Sequence, residues 1–267
     1  MKQPTRILQL TDLHLFSDPK TKLIGFNSYQ SLQKVMELVA NGIVEKKPNL
    51  VALTGDVSQD YSLESYETAA KIFNTFSCPI AAIMGNHDYP QVFAKIFGDP
   101  TKESNKIFNL NNWSIIFLDS HWPEHVGGQL AQTELDFLRK TLAVLLKQHV
   151  MIFVHHQVLP VGSAWLDNIM LSNAQQFLEI IDQYQNIKAV VCGHVHQATT
   201  TTRLGVSYLS TPSTSWQFAV NSPGFKLDTL MPGYRWIDLY EDGTFKTEVV
   251  RIDYSDTFIP DLNSKGY

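Results

Sequence analysis

The chain has 267 residues, enough for one large domain or two small ones and for a substantial buried core. With 44% hydrophobic and 18% charged residues it has the composition of a soluble globular protein, and disorder is expected only in the polar C-terminal tail. A formal charge of −5 speaks against a protein devoted to nucleic acid, whose affinity would need a basic face.

At the N-terminus, MKQPTRILQL has too short an apolar run for a signal peptide, and no run reaches the roughly 18 residues of a membrane span, so a cytoplasmic protein without a membrane partner is expected. Residues 6–14, RILQLTDLH, form the first of six apolar strand candidates, and this one delivers Asp12 and His14. A helix follows over residues 28–47, where Leu32, Val35, Met36, Val39 and Ile43 share one face and Pro48 stops it. The next stretch, residues 49–60 (NLVALTGDVSQD), is the centre of the chain, because Leu50 to Leu53 lead a Gly and then Asp56 into a turn. A second helix is predicted over 65–76 on Tyr66, Ala69, Ala70 and Phe73, and strand PIAAIMGNHD then ends in Asn86, His87 and Asp88.

Strand, helix, strand, helix, strand predicts a parallel layer with its chemistry at the carboxyl ends of the strands. WSIIFLDS (113–120) ends in Asp119, an irregular stretch follows, and a helix opened by Thr133 with Leu135, Leu138, Leu142 and Leu145 inward leads to HVMIFVHHQ, which carries His155. Ser172 with Gln175 is read as a capping pair opening a helix on Phe177, Leu178, Ile181 and Tyr184. The strand IKAVVCGHVH then delivers His194 and His196. Beyond it, residues 234–252 read as a hairpin around Glu241-Asp242-Gly243, which predicts an α/β protein with two mixed sheets and helices packed outside. One domain over residues 1–267 is expected, with 254–267 a surface tail, because no Pro/Ser/Gly-rich linker interrupts the candidate ligands.

Those candidates are Asp12, His14, Asp56, Asn86, His155, His194 and His196. Carboxylate, amide oxygen and imidazole without thiolate suit Mn, Fe or Zn and are too rich in nitrogen for Ca or Mg. Seven ligands exceed one ion, so two ions about 3.5–4 Å apart are expected, with one carboxylate bridging. Two dications carry about +4 and two carboxylates return −2, which leaves a centre that attracts phosphate. A water held between such ions would ionise near neutral pH and attack phosphorus in line. His87 is expected to face the substrate, with Asp88 holding its tautomer, and Gly55, Gly85 and Gly193 to let the backbone turn sharply before each ligand.

Other residues have weaker claims. His121, His125 and His149 are not expected among the ligands, and His149 reads as a surface or helix-end residue. His156 alternates with His155, which predicts a residue behind the ligands or facing the substrate rather than on a metal. Asp60 and Asp119 read as turn or cap residues, and Cys78 and Cys192, far apart and outside any CxxC, as buried free thiols. Trp165, Trp216 and Phe218 read mainly as core, with one of them a candidate to stack on a substrate ring.

Asp12-x-His14, Gly55-Asp56, Gly85-Asn86-His87-Asp88, His155 and Gly193-His194-x-His196, each after an apolar strand, resemble the calcineurin-like metallophosphoesterases over the first 196 residues. The resemblance implies a four-layer α/β/β/α sandwich. It also implies one metal on Asp12, His14, Asp56 and His196, a second on Asp56, Asn86, His155 and His194, and Asp56 as the bridge. TDLHLF, GFNSYQS, GGQLAQTELDFLRKTL, STPSTSWQF and PGYRWIDLYEDGTFKTEV are further similar to the bacterial class III 3′,5′-cyclic AMP phosphodiesterases across nearly the whole chain. From that likeness come expected Fe and/or Mn, a small cyclic-nucleotide substrate opened to 5′-AMP, and Asp56, Asn86 and His87 as catalytic residues. His14, Asp56, Asn86, His87 and His196 would touch the phosphate. Gln157-Val158 departs from the proline common after the paired histidines, which bears on the shape of that loop. A broader phosphodiesterase or nuclease of the same superfamily and a non-catalytic nucleotide sensor are the alternatives, and nothing in the sequence specifies an oligomeric state.

Overall fold

The structure, a computed structural model, describes residues 3–43 and 46–266. In the first half, β1 (Thr5–Leu10), α1 (Ser28–Ile43), β2 (Leu50–Thr54), α2 (Leu63–Phe73), β3 (Ile80–Ile83) and α3 (Pro90–Phe97) alternate. In the second, β4 (Ile107–Leu110), β5 (Trp113–Leu118), α4 (Gln132–Val144), β6 (His149–Val154), α5 (Ala164–Asp167), α6 (Ala174–Ile181), β7 (Ile187–Cys192), β8 (Thr200–Arg203) and β9 (Val206–Ser210) follow. Then come β10 (Gln217–Phe218), β11 (Leu227–Asp228), β12 (Gly233–Leu239) and β13 (Phe245–Arg251).

Two mixed sheets result, ordered β13-β12-β1-β2-β3 and β4-β5-β6-β7-β9-β8, with a separate two-stranded ribbon of β10 and β11. Strands β1, β2 and β3 are parallel, as are β5, β6, β7 and β9, while the expected hairpin β12-β13 lies antiparallel against β1. Period-two alternation divides each strand between two cores. From β1, Ile7 enters the layer between the sheets beside Trp113, Phe117, Phe153 and Ile237, whereas Leu8 and Leu10 face Leu32, Val35 and Val39 of α1. On the far sheet, Ile152 and Val154 meet Leu138 and Leu142 of α4 and Phe177 of α6. Helices, sheet, sheet, helices is thus the observed layering, as expected.

Element ends differ from the sequence reading where side chains found other partners. Helix α2 begins two residues early because Ser62 caps it, its side chain accepting the Ser65 amide at 3.3 Å. The capping pair expected at Ser172 and Gln175 is not formed. Helix α6 starts at Ala174, Ser172 N donates to Gly128 O, and the Asn173 amide group pairs with both backbone groups of Leu130. Of the helix expected over 28–47, α1 covers Ser28–Ile43, and Val44 and Glu45 lie outside the described residues. Strands β4 and β8 were not predicted, being short edge strands in which no residue is fully buried.

The expected surface tail is exposed over most of its length but is anchored. Phe258 is buried against Phe26, and Asp261 N donates to Ile24 O at 2.7 Å, while Tyr267 lies outside the described residues. Gln157 and Val158 are likewise well held, Gln157 Nε2 donating to Leu166 O at 2.8 Å and Val158 buried in the core on the outer face of the second sheet.

Candidate metal centre

Parallel strands of one sheet release their carboxyl ends at one edge, and here two such edges meet. Strands β1, β2 and β3 carry Asp12 and His14, Asp56, and Asn86 with His87; β6 and β7 carry His155, and His194 with His196. Across the seam Gln9 Nε2 donates to Cys192 O, and His155 Nδ1 donates to Thr54 O at 2.7 Å. The donor atoms of Asp12, His14 and His196 all lie within 4.8 Å of one another, as do those of Asp12, Asp56 and His155. Asp56 Oδ2 lies 3.8 Å from His14 Nε2 and 3.4 Å from His155 Nε2, between the two groups, and Asn86 Oδ1 lies 3.3 Å from His155 Nε2. All seven candidates are therefore brought together.

The imidazoles are oriented by groups behind them. His14 Nδ1 donates to Gln59 Oε1 at 2.6 Å and His196 Nδ1 to Trp216 O at 2.8 Å, so each turns a lone pair at Nε2 inward. Those two lone pairs face each other at 3.1 Å, repulsive by themselves, yet the spacing of two nitrogens each about 2.1 Å from one cation. His194 Nε2 is buried and has no hydrogen-bond partner among the described residues, an orphan that a cation would satisfy. Burial holds His14 down to about 3, so it offers a neutral donor. Burial works against ionisation of Asp12 and Asp56, but His196 beside the first and His155 beside the second outweigh it, and both carboxyls sit below their usual range. Burial likewise opposes charge on His155, but Asp56 draws it up to about 9, so this point of the cluster attracts positive charge. Donor set, orphaned nitrogen and facing lone pairs all fit a pair of transition-metal cations.

Local backbone strain accompanies these placements. Asp12, His14, Asp56, His194 and His196 have φ of 54°, 49°, 52°, 63° and 48°, the left-handed region that costs non-glycine residues about 1–2 kcal/mol each. Cross-loop bonds hold them there: Asp12 N to Gly55 O and His14 N to Asp56 O, both 2.9 Å, and His194 N to the Asp12 carboxylate at 3.1 Å. Of the three glycines expected to permit sharp turns, only Gly55 has positive φ, at +98°. Gly85 and Gly193 are needed for space, since a Cβ would lie 2.1 Å from Asp56 Oδ1 and from Thr11 Oγ1 respectively.

Asp88 does not serve His87 as expected. Its Oδ1 accepts from Val57 N, Ser58 N and Tyr66 OH and its Oδ2 from Gly85 N, so this carboxylate clamps the turns that carry Asp56 and Asn86. His87 is partly buried, its ring 5.1 Å from that of His14 and its amide donating to Asp56 Oδ1 at 2.8 Å, near enough to His14 and Asp56 to count as a ligand; burial lowers its pKa. His156 is near enough to His155 and His194 to count as a ligand, but both ring nitrogens are engaged, by Ser120 Oγ at 2.8 Å and Val126 O at 3.2 Å. It is a buried support for His194, and the substrate-facing alternative for it is excluded. Trp216 and Phe218 are buried and stack on His14 and His196, at 4.7 Å and 4.3 Å between centroids, so they back the ligands. Trp165 is partly buried against Phe218 and Phe225. Asp60 and Asp119 are turn residues as read, accepting the amides of Ser62 and His121. His121 donates through Nδ1 to Gly85 O, His125 stacks on Trp122, and His149 is partly buried against Trp113. Cys192 is buried as expected, but Cys78 is only partly so.

Gln59, Thr54 O, Trp216 O and the Asp88 clamp were missed. Gln59 alone had a local signal, a polar residue three positions after Asp56. The others act through backbone or across loops.

Two stacked mixed sheets with helices outside, and Asp, Asn and His converging where their parallel strands end, define a metallophosphoesterase architecture. The chain belongs to the calcineurin-like phosphoesterase family, whose sequence pattern matches residues 5–198. It is similar to a 3′,5′-cyclic adenosine monophosphate phosphodiesterase CpdA of Haemophilus influenzae, at 34% identity covering 100% of this chain and 96% of that one. A protein of the same name from Escherichia coli is 35% identical over 98% of this chain and 94% of its own, and a 3′,5′-cyclic-nucleotide phosphodiesterase of Nostoc 35% over 95% of each. Among solved structures, a dimetal phosphatase from Danio rerio shares the fold at TM-score 0.73 and 14% identity, covering 95% of this chain and 100% of that one. Among the described residues no helix is long and apolar enough to cross a membrane.

Proposed function

We propose that this chain is a dinuclear-metal phosphodiesterase that hydrolyses 3′,5′-cyclic AMP to 5′-AMP in the cytoplasm. The observation that carries the reading is the pair of donor groups sharing Asp56, in a chain similar over nearly its whole length to proteins named for that activity. Asp12, His14, Asp56 and His196 would hold one cation, and Asp56, Asn86, His155 and His194 the other. A donor set without thiolate suits Mn, Fe or Zn, and the resemblance to the class III cyclic-nucleotide phosphodiesterases is what favours Fe and Mn. Bound there, the ions supply an activated water and the positive charge that the phosphoryl oxygens call for.

The protein's own groups do the positioning. Water adds across the P–O3′ bond: its oxygen bonds phosphorus opposite O3′, that bond breaks, and O3′ takes up a proton. His87, partly exposed beside His14 and used by neither set of donors, is the residue we assign to donate a hydrogen bond to a phosphoryl oxygen or to the departing O3′. His14, Asp56, Asn86 and His196 border the same phosphate position. The groove beside Asn86 has no Lys or Arg among its described lining residues, which favours a small diester over a polynucleotide.

Manganese-loaded protein should turn over cyclic AMP and an aryl phosphodiester, releasing 5′-AMP rather than 3′-AMP from the former. Hydrolysis of an aryl phosphomonoester alone, or of single-stranded DNA in preference to cyclic AMP, would replace this reading.

A further inference from the structure

A groove opens directly beside Asn86, lined by Asn86, Tyr61, Tyr89, Pro90, His121 and Val126 among others. Tyr61 and Tyr89 are 52% and 45% exposed, with ring centroids 6.3 Å apart at 55°, so neither ring is spent on a core. Their backbones are nevertheless tied down. Tyr89 N donates to Tyr66 OH at 2.7 Å, and that hydroxyl donates to Asp88 Oδ1, the oxygen that also receives the Val57 and Ser58 amides beyond Asp56. Tyr61 follows Asp60, whose carboxylate accepts from Ser17 N at 2.8 Å and from Ser62 N at 3.2 Å.

Tyr61 also has φ +61°, a conformation that a bulky side chain adopts only against strain and that glycine or asparagine would adopt more readily. An aromatic ring held at that cost on the surface, paired with a second, at the edge of a phosphate-attracting centre, has the form of a platform for a flat apolar ring. Aromatic rings recognise nucleobases by such stacking, with little regard to hydrogen-bond pattern.

We propose that Tyr61 and Tyr89 are the binding residues for the nucleobase of the substrate, holding the ring in the groove while the phosphate lies at Asp56 and Asn86. This inference rests on the nucleotide-diester reading above and adds to it where the base goes. Stacking tolerates any base, so a purine cyclic nucleotide of either kind fits the platform.

The test compares cyclic AMP with the base-free ribose 3′,5′-cyclic phosphate on manganese-loaded wild type, Tyr61→Ala, Tyr89→Ala and the two Phe variants. Removing either ring should lower the ratio of kcat/KM for cyclic AMP over that for the base-free diester by about 10-fold, within the range stacking supplies, and mainly through KM. Each Phe variant should restore the ratio, since the ring and not the hydroxyl acts. An unchanged ratio in both Ala variants, or equal losses on both substrates, overturns the platform. Should wild type hydrolyse no diester, the functional reading fails by itself, and calorimetry then tests the platform. It requires 5′-AMP to bind more tightly than ribose 5-phosphate, by a margin that Tyr89→Ala erases; no margin, or one that survives in Tyr89→Ala, overturns it.

Discussion

Asp56 Oδ1 receives the His87 amide, which turns Oδ2 toward both His14 and His155, so one carboxylate serves two donor groups. Asp56→Ala should therefore bind neither cation tightly and lose at least about 10³-fold in activity, with elemental analysis showing the metal gone. His87 lies near enough to His14 and Asp56 to count as a ligand, but neither proposed set of donors uses it. His87→Ala should keep its metal and lose about 10²–10³-fold in kcat, the scale of one positioned proton or hydrogen-bond donor; a metal-free His87→Ala would place the residue among the ligands. At this scale the candidate ligands were legible before any coordinates, because each is crowded into a short turn after an apolar run. Asp88 was misread for a physical reason: its partners, Val57, Ser58, Tyr66 and Gly85, are mostly 22 to 31 positions away, and the four donors are three backbone amides and one hydroxyl, groups that no spacing rule marks.

Strand-to-turn junctions are the working elements of this fold. β1 and β7 end in loops that touch, where the His194 amide donates to the Asp12 carboxylate across the seam, while Asp12 and His14 are held by amides donated to the loop after β2 in their own sheet. Gly193 sits where these loops come closest, and a Cβ there would be 2.1 Å from Thr11 Oγ1 and 2.7 Å from Asp12 Oδ2. Gly193→Ala is expected to cost about 1–3 kcal/mol of stability by overpacking and to weaken metal retention, read from urea unfolding and metal content of the same preparation. Helical and strand periodicity marked the longer elements of this kind, since burial on one face writes itself into the pattern of apolar residues. Edge strands β4 and β8 escaped, because a strand with little to bury carries little pattern.

Across the whole molecule, the two sheets bring carboxylates of distant segments into a shared low-dielectric interior, and not all of them belong to the donor cluster. Burial above all, with Glu134 adding to it, pushes the Asp119 carboxyl up to about 7, while the His121 amide and Lys106 pull the other way. A folded pKa above the unfolded one means a stabilising contribution complete below about pH 4 and lost as pH rises through about 7. Asp119→Asn lacks that loss and can still accept the His121 amide. Relative to wild type it should gain about 1–2 kcal/mol between pH 5 and pH 8 in urea unfolding, at about 1.4 kcal/mol per pKa unit with part screened by solvent at this partly exposed site. The amino-acid sequence alone determined the α/β layering and singled out the seven side chains that converge, because strand period, helix period and polar turns after apolar runs are local properties. That Asp88 clamps the turns of Asp56 and Asn86, why Gly85 and Gly193 have no side chain, and that Trp216 backs His14 instead of meeting a substrate were decided only by tertiary structure. Each of these depends on the distance between segments far apart in the chain, and only packing sets that distance.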